Sequence, residues 1–268
     1  MKKLYWLIGA LLAVLFICFV LIPAFAGRLT INPIIDLGFM SFRLYGVTMA
    51  LAIVTAYFFA RSQSWRFGIN KKEIDDYTFW TVVLGFLGAR VYYVAFEWNY
   101  FSQNLTEIYQ IWHGGISIFG GLIAGLVFTY FFSRRKAYSF YQLFDLIALS
   151  VPLGQAIGRF GNFFNQEAYG SPTNLPWGMW VDGTYVHPTF LYESVLDIFI
   201  FVLLGKFVGR SKAGVIGWLY LGLYALGRFF VEGLRTDSFF VIGIRVDQIV
   251  SVLILVVSAS MLLRLRKD

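Results

Sequence analysis

Apolar runs long enough to cross a lipid bilayer recur along the whole chain, and nothing else in the sequence restricts its fold as strongly. A hydrocarbon core of about 30 Å takes roughly 20 helical residues. Eight such runs are present: Leu4 to Ala26, Leu44 to Ala60, Tyr77 to Phe96, Ile116 to Phe132, Tyr141 to Gly158, Thr189 to Phe207, Val215 to Val231 and Val246 to Leu263. Backbone polar groups in lipid must be satisfied within the segment, so runs of this length predict helices. The composition agrees, with 59% hydrophobic and 14% charged residues, outside the usage of soluble globular domains. The fold class expected is an all-α integral membrane protein: a seven-helix transmembrane body (28–268) preceded by an N-terminal anchor or signal-like segment (1–27), with a small extracytoplasmic head.

Cationic residues test this division independently, because Lys and Arg collect in cytoplasmic connections. Lys2 and Lys3 precede the first run. Arg61, Arg66, Lys71 and Lys72 follow the second, and Arg134, Arg135 and Lys136 follow the fourth. Lys206, Arg210 and Lys212 follow the sixth, and Arg264, Arg266 and Lys267 lie at the C-terminus. Fifteen of the twenty-two cations therefore fall on one side, which places both termini inside if the first segment is retained. On that placement the net charge of +7 reports topology, and a nucleic-acid partner is not expected.

The other seven are Arg28, Arg43, Arg90, Arg159, Arg228, Arg235 and Arg245, and none is lysine. A planar, permanently charged guanidinium is favoured where phosphate oxygens must be forked. Snorkelling or interhelical ion pairing is the competing explanation, most of all for Arg28, Arg43 and Arg245. Gln155, Arg159 and Asn162 stand at i, i+4 and i+7, on one face if the fifth helix continues through them. Tyr224, Arg228, Glu232 and Arg235 repeat the pattern at the end of the seventh. An arginine at bilayer depth costs about 2.5–3.5 kcal/mol by insertion scales, so two such stripes call for a reason beyond one Arg228–Glu232 pair. The expectation is an arginine-lined pocket facing the outer side, suited to an anionic amphiphile.

Other features narrow the chemistry. The stretch Arg159 to Pro188 is the longest outer connection and holds three of six prolines, which predicts a folded loop; Trp177, Trp180 and Tyr185 in it read as interfacial aromatics. Gly121 and Gly125 have the spacing of close helix packing, while Gly114-Gly115 could turn backbone N–H groups toward a phosphate. Cys18, the only cysteine, lies in an apolar run and reads as an inert core thiol. His113 and His187 lack zinc-motif spacing, and no GxSxG elbow is present, so neither metal nor cofactor is expected. Ala24-Phe25-Ala26 resembles a signal-peptidase site, but the apolar stretch before it is longer than a usual signal peptide's.

The run Gly158-Arg159-Phe160-Gly161-Asn162-Phe163-Phe164-Asn165-Gln166-Glu167, continued by Tyr169-Gly170 and Leu175-Pro176-Trp177-Gly178, resembles the signature of the bacterial prolipoprotein diacylglyceryl transferases. Four more blocks are similar in the same order: Arg43-Leu44-Tyr45-Gly46, Gly114 to Gly121, His187-Pro188-Thr189-Phe190-Leu191-Tyr192-Glu193, and Gly227 to Glu232 with Arg235. The resemblance runs from about Arg43 to the C-terminus. It implies transfer of the diacylglyceryl group of phosphatidylglycerol to the lipobox cysteine thiol of a prolipoprotein, in the bacterial plasma membrane, forming a thioether and releasing glycerol phosphate. It further implies that Arg159 binds the lipid phosphate, that Asn162, Glu167, Gly170 and Tyr45 shape the head-group site, and that Arg228, with Glu232, Tyr224 and Arg235, completes the clamp. Arg90 is expected to support them from the third helix. Some members carry histidine where this chain has Phe119, which leaves the base open among Glu232, Tyr224, a thiol made acidic by arginine, water, and His113. A transporter or flippase of an anionic lipid is the alternative from another class, since it too needs intramembrane arginines.

Overall fold

Local chemistry sets where each apolar run becomes a helix. The computed structural model describes residues 11, 14–111 and 114–267; Lys2, Lys3, most of the start of the first run, and His113 lie outside them. The helices are α1 (Val14–Phe25, with a π turn at Ile17–Leu21), α2 (Leu44–Gln63) and α3 (Lys71–Phe96). After the short α4 (Trp98–Phe101) come α5 (Ile118–Arg134) and α6 (Phe140–Asn165). They are followed by α7 (Thr189–Gly205), α8 (Val215–Glu232) and α9 (Val246–Lys267). All but α4 answer to the eight apolar runs, and α2, α3, α6, α8 and α9 are long and apolar enough to cross a membrane on their own.

The helix ends differ from the runs where polar groups find partners. α3 starts at Lys71, ahead of the apolar run, because Asn70 and Glu73 form a capping box: the Lys72 N–H donates to Asn70 Oδ1 (3.0 Å) and the Asn70 N–H to Glu73 Oε2 (3.2 Å). Such caps satisfy the orphan donors of the first turn. The start of α8 is capped across the chain by buried Asp145, which accepts the N–H groups of Gly214 (2.7 Å) and Gly217 (2.8 Å). α6 runs on to Asn165, so the expected connection from Arg159 begins seven residues late and Arg159 and Asn162 are helical.

Three two-stranded antiparallel ribbons lie between helices: β1 (Ile34–Asp36) with β2 (Ser41–Arg43), β3 (Met179–Val181) with β4 (Thr184–Val186), and β5 (Phe240–Val241) with β6 (Ile244–Arg245). The β3–β4 turn uses Asp182 and Gly183, both with positive φ (46° and 88°), as a tight hairpin requires. This ribbon is the folded part of the long connection, and Val181 and Val186 are buried in it.

The described residues form two compact units, one from residues 1–55, 151–203 and 218–268, the other from 56–150 and 204–217. In the first, Phe163, Met179, Val181, Val186, Phe190 and Ala24 make a buried core, with Phe16, Val20, Leu21 and Phe25 of α1 packed on it. Cys18 is not part of that core; it lies exposed on α1.

In the second unit α3 crosses α5 where glycines allow backbone contact. A Cβ on Gly120 would stand 2.3 Å from the Gly88 carbonyl oxygen, and one on Gly88 would stand 2.4 Å from Ala124 Cβ. The close-packed pair is thus Gly120 and Ala124. Gly121 makes only ordinary contact with Gly85, and Gly125 faces open space, which corrects the register expected from the Gly121–Gly125 spacing. Outward faces remain apolar: only 11% of the spanning stretch is buried in α2 and in α9. Such surfaces suit lipid and would aggregate in water.

Candidate functional site

Two stripes of the first unit meet as the helical spacing anticipates. Gln155 Oε1 accepts the Tyr220 hydroxyl (2.9 Å), and one turn on, Arg159 Nη2 donates to the Tyr224 hydroxyl (3.0 Å). Both pairs advance by four residues together, so α6 and α8 run in the same sense, as the fifth and seventh crossings of a bundle should. α7 runs against them: Ser194 bonds the Ala156 carbonyl oxygen and Thr189 that of Ala168.

This antiparallel packing brings in a residue that the stripes did not reveal. Glu193 bridges the two principal arginines, with Oε2 at 2.8 Å from Arg159 Nη1 and Oε1 at 2.5 Å from Arg228 Nη1. Arg228 Nη2 also pairs with Glu232 Oε2 (2.8 Å) and with Asp247 Oδ2 (2.7 Å) at the start of α9. Arg235 approaches Glu232 at 4.0 Å and holds Asp237 with two donors, at 2.9 and 2.7 Å. Asp237 lies beyond the end of α8, and those N–H donors hold its carboxyl below the usual carboxylate range. The Arg228–Glu232 pair is present as expected, but Tyr224 is bonded to Arg159 and not to Arg228.

The remaining site residues fall into place around this network. Asn162 Nδ2 donates to Glu167 Oε1 (3.0 Å) and Asn165 Nδ2 to its Oε2 (3.4 Å). Gln166 and Ala168 on either side of Glu167 have positive φ (51° and 58°), conformations that surrounding contacts must impose. The Tyr45 ring lies on the Gly161 backbone, where an added Cβ would come within 2.9 Å. Gly170 bridges to Arg235 and donates to the His187 carbonyl oxygen (2.9 Å); a Cβ there would meet His187 at 2.7 Å and the Leu234 carbonyl at 3.1 Å. Gly170 therefore ties the long connection to the Arg235 backbone, which a side chain would prevent.

Asp197, unlike Glu193, is absent from the sequence reading. It lies one turn beyond Glu193, is 1% exposed, and neither carboxylate oxygen has a hydrogen-bonding partner among the described residues. Intramembrane arginines pair with acids or with backbone carbonyls, and Glu193 and Asp197, the only charged side chains in apolar α7, were the available signal.

Other expectations are revised. Arg90 gives its guanidinium to four carbonyl oxygens, those of Glu107, Ile108, Gly114 and Gly115 (2.5–2.9 Å), and lies over the Phe101 ring. The glycine pair thus turns carbonyls onto an arginine, and Arg90 organises the connection between α3 and α5. Arg245 bonds the carbonyls of Gly233 and Arg235 and pins the turn after α8, whereas Arg28 and Arg43 are exposed. Trp177 and His187 both reach the Tyr192 hydroxyl (2.9 and 3.1 Å), so the His187 ring has a hydroxyl partner. Phe119 packs beside Tyr92. Among the described residues no cluster of three or more metal-ligating side chains occurs.

Apolar helices carrying a buried arginine–carboxylate network define an integral membrane protein with a polar centre that is costly to place in lipid. Residues 32–264 match the prolipoprotein diacylglyceryl transferase family, and the chain belongs to that family. It is 44% identical to a protein of Fervidobacterium nodosum named phosphatidylglycerol–prolipoprotein diacylglyceryl transferase, over 90% of this chain and 88% of the relative. Proteins of the same name in Finegoldia magna (44% identical, 84% of this chain and 91% of the relative) and Staphylococcus aureus (40%, 87% and 88%) are also similar. Membership of a transferase family sets the transporter reading aside. The match begins at residue 32, upstream of the Arg43 block.

Proposed function

We propose that this chain catalyses the reaction for which its relatives are named, moving the diacylglyceryl group of phosphatidylglycerol onto the lipobox cysteine of a prolipoprotein. The sulfur–carbon bond forms at the glyceryl carbon as the carbon–oxygen bond to phosphate breaks. Glycerol phosphate leaves, and the thiol proton passes to solvent or to the new phosphate monoester, whose second pKa is about 6. The bridge of Glu193 between Arg159 and Arg228 is the observation that carries the assignment of roles. It holds two guanidinia side by side before substrate arrives, so charge developing on the leaving phosphate meets donors that need no reorganisation.

Arg159 and Arg228 bind the phosphate, Arg235 stands behind them, and Tyr45, Asn162, Glu167 and Gly170 shape the head-group region. Glu232 is 2% exposed and paired with Arg228; it acts as a counterion and not as the base. Thiols ionise near 8.5 when free, and a guanidinium close to the sulfur would favour the thiolate. Tyr224 remains able to donate its hydroxyl proton while accepting from Arg159. The enzyme works in the bacterial plasma membrane with this site toward the outer face.

The test uses purified protein in detergent, phosphatidylglycerol and a lipobox peptide, with mass spectrometry for the diacylglyceryl thioether. Wild type should give the adduct, and Arg159→Ala should lower its rate by about 100-fold or more, the scale of a lost transition-state donor. An Arg159→Ala rate equal to wild type would remove Arg159 from the mechanism.

A further inference from the structure

The charges of the site do not favour an arriving anion. Arg159, Arg228 and Arg235 pair with Glu193, Glu232, Asp237 and Asp247, three positive charges against four negative ones. Arg228 Nη2 already faces two carboxylates, so a phosphate oxygen takes a place on that nitrogen only where one of them yields.

Two of its three partners are poorly placed to move. Glu193 and Glu232 have side chains 5% and 2% exposed, and each also faces a second arginine. Withdrawing either would leave buried charge uncompensated. Asp247 differs in each respect: its side chain is 41% exposed, and Arg228 Nη2 is its only ion-pair partner among the described residues. It also sits in the first turn of α9, where the positive end of the helix dipole stabilises a carboxylate without help from an arginine. Asp237 is as exposed, but it is held twice by Arg235 and does not touch Arg228.

We propose that Asp247 is an exchangeable counterion, holding the place on Arg228 Nη2 that the phosphate of an anionic lipid takes on binding, and so setting the affinity of the site. This rests on the reading that Arg159 and Arg228 receive the lipid phosphate. An uncharged lipid has no such exchange to make, so Asp247 acts on anionic head groups alone.

The full chain in detergent is titrated with short-chain phosphatidylglycerol and, separately, with diacylglycerol of the same chain length, for wild type, Asp247→Asn and Asp247→Ser. Both variants keep a short polar side chain in the first turn of α9, and either can report if the other is unstable. Loss of a half-exposed competing charge should tighten phosphatidylglycerol binding about fivefold and leave diacylglycerol binding unchanged. In turnover the gain appears in KM and not in kcat. Unaltered or weaker phosphatidylglycerol binding in both variants, or equal tightening for diacylglycerol, overturns the proposal. Arg228→Gln separates the two levels of failure. If it weakens phosphatidylglycerol binding while the Asp247 variants change nothing, only the counterion role is lost; if it binds as wild type does, the phosphate is not on Arg228 and both readings fall.

Discussion

Two guanidinia sharing one carboxylate depend on it for their positions. With Glu193 neutralised, Arg159 and Arg228 lose their common acceptor at 2.8 and 2.5 Å and repel each other in surroundings of low dielectric. Breaking a buried pair from one side costs about 3–5 kcal/mol, so Glu193→Gln should lower the melting temperature in detergent markedly and depress turnover with it. Glu193→Asp, which keeps the charge on a shorter arm, should recover part of both. Equal melting of Glu193→Gln and wild type would show that the bridge contributes nothing to stability. The members of this network differ in how far they were legible. Arg159, Asn162, Tyr224, Arg228 and Glu232 stood out because helical spacing assigns residues to a face; Arg235 falls on the same face by spacing, but α8 ends at Glu232 and Arg235 lies beyond it, in the bridge to Gly170. Glu193, Asp237 and Asp247 did not, since spacing says nothing of which residue from another helix or turn lies opposite. The hydrogen bond of Tyr224 to Arg159, on another helix, is likewise decided by α6.

Helix contacts rest on a few positions where a side chain has no room. Gly120 approaches the Gly88 carbonyl so closely that an added Cβ would lie 2.3 Å from its oxygen. The obstacle is backbone, which cannot rotate aside, so Gly120→Ala must push α3 and α5 apart. Overpacking of this kind costs about 1–3 kcal/mol. Gly125→Ala, with nothing within 4 Å, should be neutral or slightly stabilising through helix propensity. Thermal unfolding of the two variants checks the register directly, and a reversal of their order would place the contact on the Gly121–Gly125 face after all. The error in that register is instructive: several glycines in one apolar run offer several small-residue faces, and only the partner helix selects one. Helix existence was legible because length and hydropathy suffice for it. Helix ends were not, where Asn70 and Glu73 cap α3 and where polar Arg159 and Asn162 remain helical because α7, α8 and the Glu167 turn supply their partners. The ribbons were foreshadowed only by turn residues such as Asp182-Gly183.

For the molecule as a whole, the first segment decides whether the working enzyme has seven or eight helices. Its sequence suits both an anchor and a cleaved leader; we propose that it is retained as an anchor, a reading that its packing supports. Phe16 of α1 meets Phe160 and Phe164 (5.8 and 6.4 Å between ring centres), and Phe25 meets Phe163 and Phe190 (6.4 and 6.1 Å). Such ring pairs are worth about 0.5–1.5 kcal/mol each beyond their area burial. Phe160 adjoins Arg159, and Phe190 lies one turn before Glu193 on α7, so the same contacts hold the two elements that carry the Arg159–Glu193 pair. The Ala24-Phe25-Ala26 stretch is also tied into the helix end. α1 runs to Phe25, and the N–H groups of Ala26, Gly27 and Arg28 bond the carbonyls of Ile22, Ala24 and Pro23 (3.1, 3.1 and 2.8 Å). Cleavage there would require this hydrogen-bonded turn to open first. Intact mass measurement on protein extracted from membranes should therefore find residues 1–26 present. A variant lacking them should melt at lower temperature and turn over more slowly, because Phe163 and Phe190, each 3% exposed with α1 in place, would lose their cover. Recovery of a chain beginning at Gly27, or a truncated variant as stable and active as the full one, would mean that these ring contacts are dispensable and that the body of seven helices is the complete enzyme.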